Sequence, residues 1–237
     1  MGIKEATRRV ALSALAVVCL TGWGVPERVE CLADDQQLPI YRIQIDYLMG
    51  SGHASAVIVA PGYALTASHA VDGQPKAISV LTPEGPRAAT RIASDPVNDM
   101  ALLTLDTTGL DVLPFSQRDL KPGETVWTVG FAGTAGSSYK GNILEVIGGH
   151  ARISAPVFPG MSGGAVVSCE DGNPRMSGTI TSFNYRVTRT WRTIVPGKES
   201  TFERVINDGT SNAPIGMMPV WFTEYAIEMY EDNKKRE

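Results

Sequence analysis

Pro159-Gly160-Met161-Ser162-Gly163-Gly164, running directly into the apolar Ala165-Val166-Val167, is the stretch on which the fold of this chain is read. A serine set among glycines can stand at the tip of a tight turn where no neighbouring side chain blocks attack. The missing Cβ atoms also let backbone N–H groups converge on one point, as an oxyanion hole requires. Alone, the same residues describe an ordinary glycine-rich turn, so the reading depends on partners elsewhere in the chain.

Two such partners lie upstream. In Ala64-Leu65-Thr66-Ala67-Ser68-His69-Ala70-Val71 an apolar strand ends in a turn of small residues that presents His69, the side-chain type suited to taking and returning a proton near neutral pH. In Asn98-Asp99-Met100-Ala101-Leu102-Leu103 an acid stands immediately before an apolar strand, where it can hydrogen-bond an imidazole, fix its tautomer and stabilise the imidazolium. Each has a plainer reading, a satisfied histidine and a turn aspartate. His53 and His150 lie in no comparable strand-end setting and are assigned no role. The chain order is His69, Asp99, Ser162, with separations of 30 and 63 residues.

Around these points the sequence is a succession of short apolar segments cut by Gly, Pro, Asn and Asp. Tyr41–Leu48 alternates, and Ala54–Ala60, Tyr63–Thr66, Ala77–Leu81, Ala88–Ala93 and Met100–Leu105 follow as strands. After the Pro-bearing connection Asp111–Gly123 come Glu124–Gly130, Asn142–Ile147, His150–Ala155, Gly164–Cys169, Met176–Phe183 and Thr190–Val195. Only the end reads as helix. Trp221, Phe222, Tyr225, Ala226, Met229 and Tyr230 form one apolar stripe after Pro219, expected to lie against the body of the protein over 221–231.

Composition narrows the class. The 237 residues are 43% hydrophobic and 19% charged, with 24 Gly and 15 Pro, which excludes a disordered tail or a cysteine-stapled miniprotein and suits many strands and turns. A net charge of −4 leaves no electrostatic footprint for nucleic acid. The basic cluster Arg186, Arg189 and Arg192, beside Tyr185 and Trp191, reads as the solvated face of a hairpin. No spacing of His and Cys suggests a metal site, and no cofactor is expected.

Residues 1–33 read as a signal peptide or an N-terminal membrane anchor: Lys4, Arg8 and Arg9 precede the uncharged run Val10–Leu20, which is short for a membrane span. Cleavage fits after Gly24 or after Ala33. In the second case Cys169 alone of the three cysteines remains; in the first, a Cys31–Cys169 pair is available. The expected location is therefore periplasmic or secreted, with membrane contact only through a retained leader.

The order His, Asp, Ser resembles that of trypsin-like serine proteases of the chymotrypsin fold, whereas alpha/beta-hydrolases run Ser, acid, His and subtilisins Asp, His, Ser. Gly50-Ser51-Gly52, the segment ending in His69, Val129-Gly130-Phe131 and the Ser162 turn together resemble bacterial HtrA-like exported peptidases, here without a PDZ domain. The resemblance covers Gly50 to Ile180. It implies an all-β fold of two six-stranded antiparallel β-barrels with a C-terminal helix, the first barrel over 34–120 and the second over 121–220, within one protease domain over 34–237. It implies a serine endopeptidase acting on protein or peptide substrates, with His69, Asp99 and Ser162 as triad and the N–H groups of Gly160 and Ser162 as oxyanion hole. Pocket positions fall on Pro156, Val157, Thr181, Ser182 and Phe183, which offer no carboxylate for Lys or Arg and favour a small or medium apolar side chain, unless Phe183 blocks the pocket. Met161 departs from the family: digestive relatives carry there an aspartate that pairs with a newly cut N-terminus, and HtrA-like relatives a small polar residue. No zymogen activation of that type is expected, and the loop must be ordered by other contacts. The alternatives are an inactive homologue acting as a binding protein, and an esterase using the same triad.

Overall fold

The structure is a computed structural model describing residues 26–195 and 198–236; within 185–195 and 198–207 only the backbone is described. The leader Val10–Leu20, the cleavage point after Gly24 and the side chains of Tyr185, Arg186, Arg189, Trp191 and Arg192 lie outside the described residues.

The first unit contains β1 (Ile40–Tyr47), β2 (Gly50–Ala60), β3 (Tyr63–Thr66), the single turn α1 (Ser68–Val71), β4 (Ala77–Thr82), β5 (Gly85–Asp95) and β6 (Met100–Leu105). The six strands close into an antiparallel barrel in the order β1-β2-β3-β6-β5-β4. Alternation explains the closure: Ile43 and Ile45 of β1 point inward with Ala54, Ala56 and Ile58 of β2, Ile78 and Val80 of β4, and Ala101 and Leu103 of β6.

The second unit contains β7 (Thr125–Ala132), β8 (Ala135–Ile147), β9 (His150–Ile153), β10 (Ala165–Glu170), β11 (Asn173–Thr179), β12 (Ser182–Val195) and β13 (Lys198–Pro214). These form a seven-stranded sheet in the order β11-β10-β7-β8-β9-β13-β12, one strand more than the sequence led us to expect. The addition is β13. Its run from Lys198 to Pro214 carries few apolar residues, so it has no alternation to read, and backbone pairing with β9 and β12 makes it a strand. The sheet curls until Gly178 bridges Ile215, just beyond β13. Leu120, Val126, Ile143, Ile153, Val157, Met161, Val166 and Ile180 fill its interior.

A third apolar cluster joins the two units. Val57, Leu65, Met100 and Leu102 from the barrel meet Trp127, Ala165, Val167 and Met176 from the sheet, and Ala226 closes over them. Ala226 belongs to α2 (Met217–Lys234), which begins four residues before the expected start. Pro219 falls inside its first turn, where an α-helix makes no use of that N–H, so the proline does not mark the boundary. The helix buries Val220, Thr223 and Ala226 and packs Phe222 and Tyr230 inward, while Trp221, Tyr225 and Met229 stay exposed, so the expected stripe is only half engaged. Glu231 of α2 accepts a hydrogen bond from the Tyr63 hydroxyl of β3, which with burial pushes that phenol up to about 12. Among the described residues no helix is long and apolar enough to cross a membrane.

The segment before β1 is held as firmly as a strand. Val29 is buried in the inter-unit cluster, Glu27 N–H donates to the Ser138 carbonyl, and Cys31 forms a disulfide with Cys169 of β10. That bond spans 138 residues, and cross-links over loops of such length typically stabilise by about 2–5 kcal/mol. Cys169→Ser, or reduction of the parent, is therefore expected to lower the urea midpoint by a corresponding amount; equal midpoints with and without reductant would contradict this.

Candidate active site

His69 reaches its position because β3 stops. All four residues of β3 are buried, Ala67 is extended, and α1 then turns the chain outward so that Ser68 and Val71 stay inside while the imidazole is about half exposed. Hydrogen bonds from Ser68 Oγ to Asp72 and between Ser68 and Ser94 pin the turn. Arg91 clamps its exit through the Val71 carbonyl and the Asp72 carboxylate.

Asp99 occupies the last position before β6 with φ 54°, a left-handed conformation that aspartate tolerates better than most residues. Asp95 shapes the approach by accepting the N–H groups of Val97 and Asn98. On the other side Met100 is fully buried and anchors the strand. The Asp99 carboxylate then receives His69 twice: the backbone N–H donates to Oδ1 at 2.9 Å and ring Nδ1 lies 2.7 Å from Oδ2. With Nδ1 as donor, Nε2 carries the lone pair. The hydrogen bond to Asp99 raises the His69 pKa above the ordinary 6.5, against burial, with help from the charges of Asp99 and Asp72.

Ser162 stands on a loop whose geometry is set by Gly160 and Gly163, at φ 98° and 80°. A Cβ on Gly160 would fall 2.5 Å from the Phe131 carbonyl oxygen and 2.7 Å from the His53 ring; on Gly163 it would fall 2.2 Å from the Ser55 carbonyl oxygen and 2.7 Å from the Ala67 nitrogen. Glycine is thus required by close approach as well as by φ, and the approach brings the loop onto the strand end that carries His69. The N–H groups of Gly160 and Ser162 and the Ser162 hydroxyl have no hydrogen-bond partner among the described residues.

Met161 is fully buried in the interior of the second unit, and its Sδ accepts the Phe158 N–H. This is the ordering contact that the departure from the family pattern called for: an apolar plug in place of an ion pair. Pro156 and Val157 are also buried, with the Pro156 carbonyl accepting from Thr128 Oγ1, and Thr181 is tied by its N–H and Oγ1 to the Asn212 carbonyl. Ser182 is exposed and Phe183 is 38% exposed at the start of β12.

Three residues with no assigned part prove to touch this region. His150 Nε2 meets Asn98 Oδ1 at 3.1 Å, next to Asp99, and His53 lies against Gly160. Ser55 was missed altogether. It is fully buried on β2, donates its backbone N–H to the Ser162 carbonyl at 2.8 Å, and donates its hydroxyl to the Gly160 carbonyl at 2.8 Å. The sole sequence signal was a serine inside the small-residue run Ala54-Ser55-Ala56. Gly50-Ser51-Gly52, which contributed to the resemblance, forms instead the first residues of β2, paired with Ile45–Tyr47 of β1, with Gly50 and Ser51 exposed.

Comparison with known proteins bears on this geometry. Residues 54–174 match the trypsin-like peptidase domain, a span that includes His69, Asp99 and Ser162. Among solved structures, the serine endoprotease from Yersinia pestis is 21% identical with a TM-score of 0.67, covering 86% of this chain and 68% of its own. The HtrA-type protease AlgW with a tripeptide is 22% identical with a TM-score of 0.63, covering 81% of this chain and 60% of its own. The active form of the Rv3671c protease from M. tuberculosis is 18% identical with a TM-score of 0.61, covering 78% of each chain. At these identities the likeness establishes the fold. No curated protein matches the chain in sequence.

If Met161 holds the loop by burial, Met161→Ala opens a cavity and costs roughly 2–5 kcal/mol, as core methionines do. Met161→Asp puts a carboxylate into the same apolar site and costs at least as much. Thermal or urea unfolding of both variants reads this directly, and a wild-type midpoint for Met161→Asp would refute it.

Proposed function

This chain belongs to the trypsin-like peptidase family, and from that premise we propose that it is a serine endopeptidase that cleaves protein or peptide substrates through an acyl-enzyme. The observation that carries the reading is the two-point hydrogen bonding of His69 to Asp99, which leaves Nε2 available as a base on a half-exposed ring. Ser162 Oγ attacks the scissile carbonyl as Nε2 takes its proton. The oxygen that becomes negative is received by the N–H groups of Gly160 and Ser162, and one such donor is worth about 3–4 kcal/mol in the transition state. His69 then protonates the leaving amine. In the second half it removes a proton from water, and collapse of the second tetrahedral species returns that proton to Ser162.

Pro156, Val157, Thr181, Ser182 and Phe183 would line the specificity pocket. Pro156 and Val157 are buried, Phe183 is 38% exposed, and none of the five carries a charge. A small or medium apolar residue before the cut bond suits that lining. A panel of chromogenic peptides decides it; strong preference for Arg overturns the assignment.

An exported protein is the accompanying reading. A disulfide between Cys31 and Cys169 suits an oxidising compartment, and of the two cleavage points the one after Gly24 retains Cys31. The mature protein would then keep the strap formed by residues 26–38.

Two measurements test the reaction. A fluorophosphonate probe should label the wild-type protein and not Ser162→Ala, while both unfold at the same temperature; labelling of the variant would remove Ser162 from the mechanism. The base must be neutral, and its pKa lies above 6.5, so kcat/KM should rise with pH through a midpoint above that value. Asp99→Asn, which removes the carboxylate whose hydrogen bond and charge raise it, should lower activity by about 10⁴-fold.

A further inference from the structure

Ser55 places three of its own groups on three parts of the candidate active site. Its N–H donates to the Ser162 carbonyl and its hydroxyl to the Gly160 carbonyl, each at 2.8 Å. Its carbonyl accepts Thr66 Oγ1 at 2.7 Å, on the strand that ends three residues before His69. The hydroxyl also accepts the Phe131 N–H at 2.8 Å, so both its donor and an acceptor position are used. Ser55 is fully buried, as is Thr66, so no water competes for these groups.

The bonded carbonyls are those of residues 160 and 162. They bracket the peptide between Met161 and Ser162, whose N–H is one of the two oxyanion donors. The peptide two units earlier, between Pro159 and Gly160, supplies the other, and the Gly160 carbonyl lies in the peptide that links the two. Both flanking carbonyls are tied to Ser55 of β2, which fixes the peptide planes on either side of the Ser162 N–H. Rotation of the Gly160 carbonyl would cost a part-buried hydrogen bond and leave the Ser55 hydroxyl hydrogen without its acceptor.

We propose that Ser55 is the positioning residue for the oxyanion hole, fixing the Gly160–Ser162 backbone relative to the strand that delivers His69. This rests on the peptidase reading above and assigns the responsibility for donor geometry to a side chain 105 residues away from the glycine it holds. Its contribution is made in the transition state, because substrate binding along the cleft does not need the oxyanion donors while tetrahedral species do.

The experiment compares wild type, Ser55→Ala and Ser55→Cys. Cysteine keeps the approximate volume with a weaker donor, and serves in place of Ser55→Ala should that variant not fold. Each is measured for kcat and KM on one peptide substrate, for Ki of a peptide boronate that becomes tetrahedral on Ser162, and for the acid limb of kcat/KM. For Ser55→Ala we expect kcat to fall and boronate Ki to rise together, on the order of 10- to 100-fold. KM should stay within about threefold and the His69 limb should not move, and Ser55→Cys should fall between the two. Two results overturn the proposal: a boronate Ki unchanged in Ser55→Ala, or KM and Ki weakened equally, which would mean general loss of the loop. If the wild type itself neither turns over the peptide nor labels with fluorophosphonate, the peptidase reading fails first and separately.

Discussion

The site depends on one close contact between backbones. Gly163 lies so near the Ser55 carbonyl that no side chain fits between them, and this contact joins the second unit to the first beside the candidate site residues Ser162 and His69. Hydrogen bonds then orient what the contact brings near: the Ser162 and Gly160 carbonyls on Ser55, and Thr66 on the Ser55 carbonyl. The glycines of the turn are consequently matched to β2 as much as to attack at Ser162. Each half of the site is built by a different unit, and neither half is complete by itself.

The contact persists because the units share a core. Val57 and Leu65, which flank the hydrogen-bonding edge of β2 and β3, pack in the same cluster as Trp127, Ala165 and Val167. Ala165 follows the nucleophile turn by three residues, so the strand leaving Ser162 and the strand approaching His69 are buried against common neighbours. Met161 adds a second anchor on the far side, inside the curled sheet. Ion pairing has little part in this: the described salt bridges have exposed or partly exposed members, where such pairs contribute little.

How much of this was legible follows from what each residue does. β3 and β6 were readable to the residue because they are continuous apolar runs with a polar stop at the end, and the same stops carry His69 and Asp99. The pairing of His69 with Asp99 was readable for that reason. β13 was not, because a strand sustained by pairing on both edges can be polar along its length, and its hydrogen bonds leave no period in the sequence. Ser55 was invisible on the same ground: a serine between alanines says nothing about a carbonyl 105 residues away. The start of α2 was misplaced because proline was taken as a boundary where the first helical turn accepts it. The Cys31–Cys169 bond was open because separation along the chain does not fix distance in space.

The hydrogen bond from Tyr63 to Glu231 gives α2 a place in the history of the fold as well as in its final state. Tyr63 opens the strand whose other end releases the chain toward His69, and Ala226 of the same helix belongs to the apolar cluster that holds Leu65 and Met100. A polypeptide synthesised from its N-terminus has all three candidate residues in hand by residue 162, yet the helix that packs on the strands flanking His69 and Asp99 arrives more than fifty residues later. Until then that part of the core faces solvent. Emergence of the last helix is therefore the step at which the core between β3 and β6 can close.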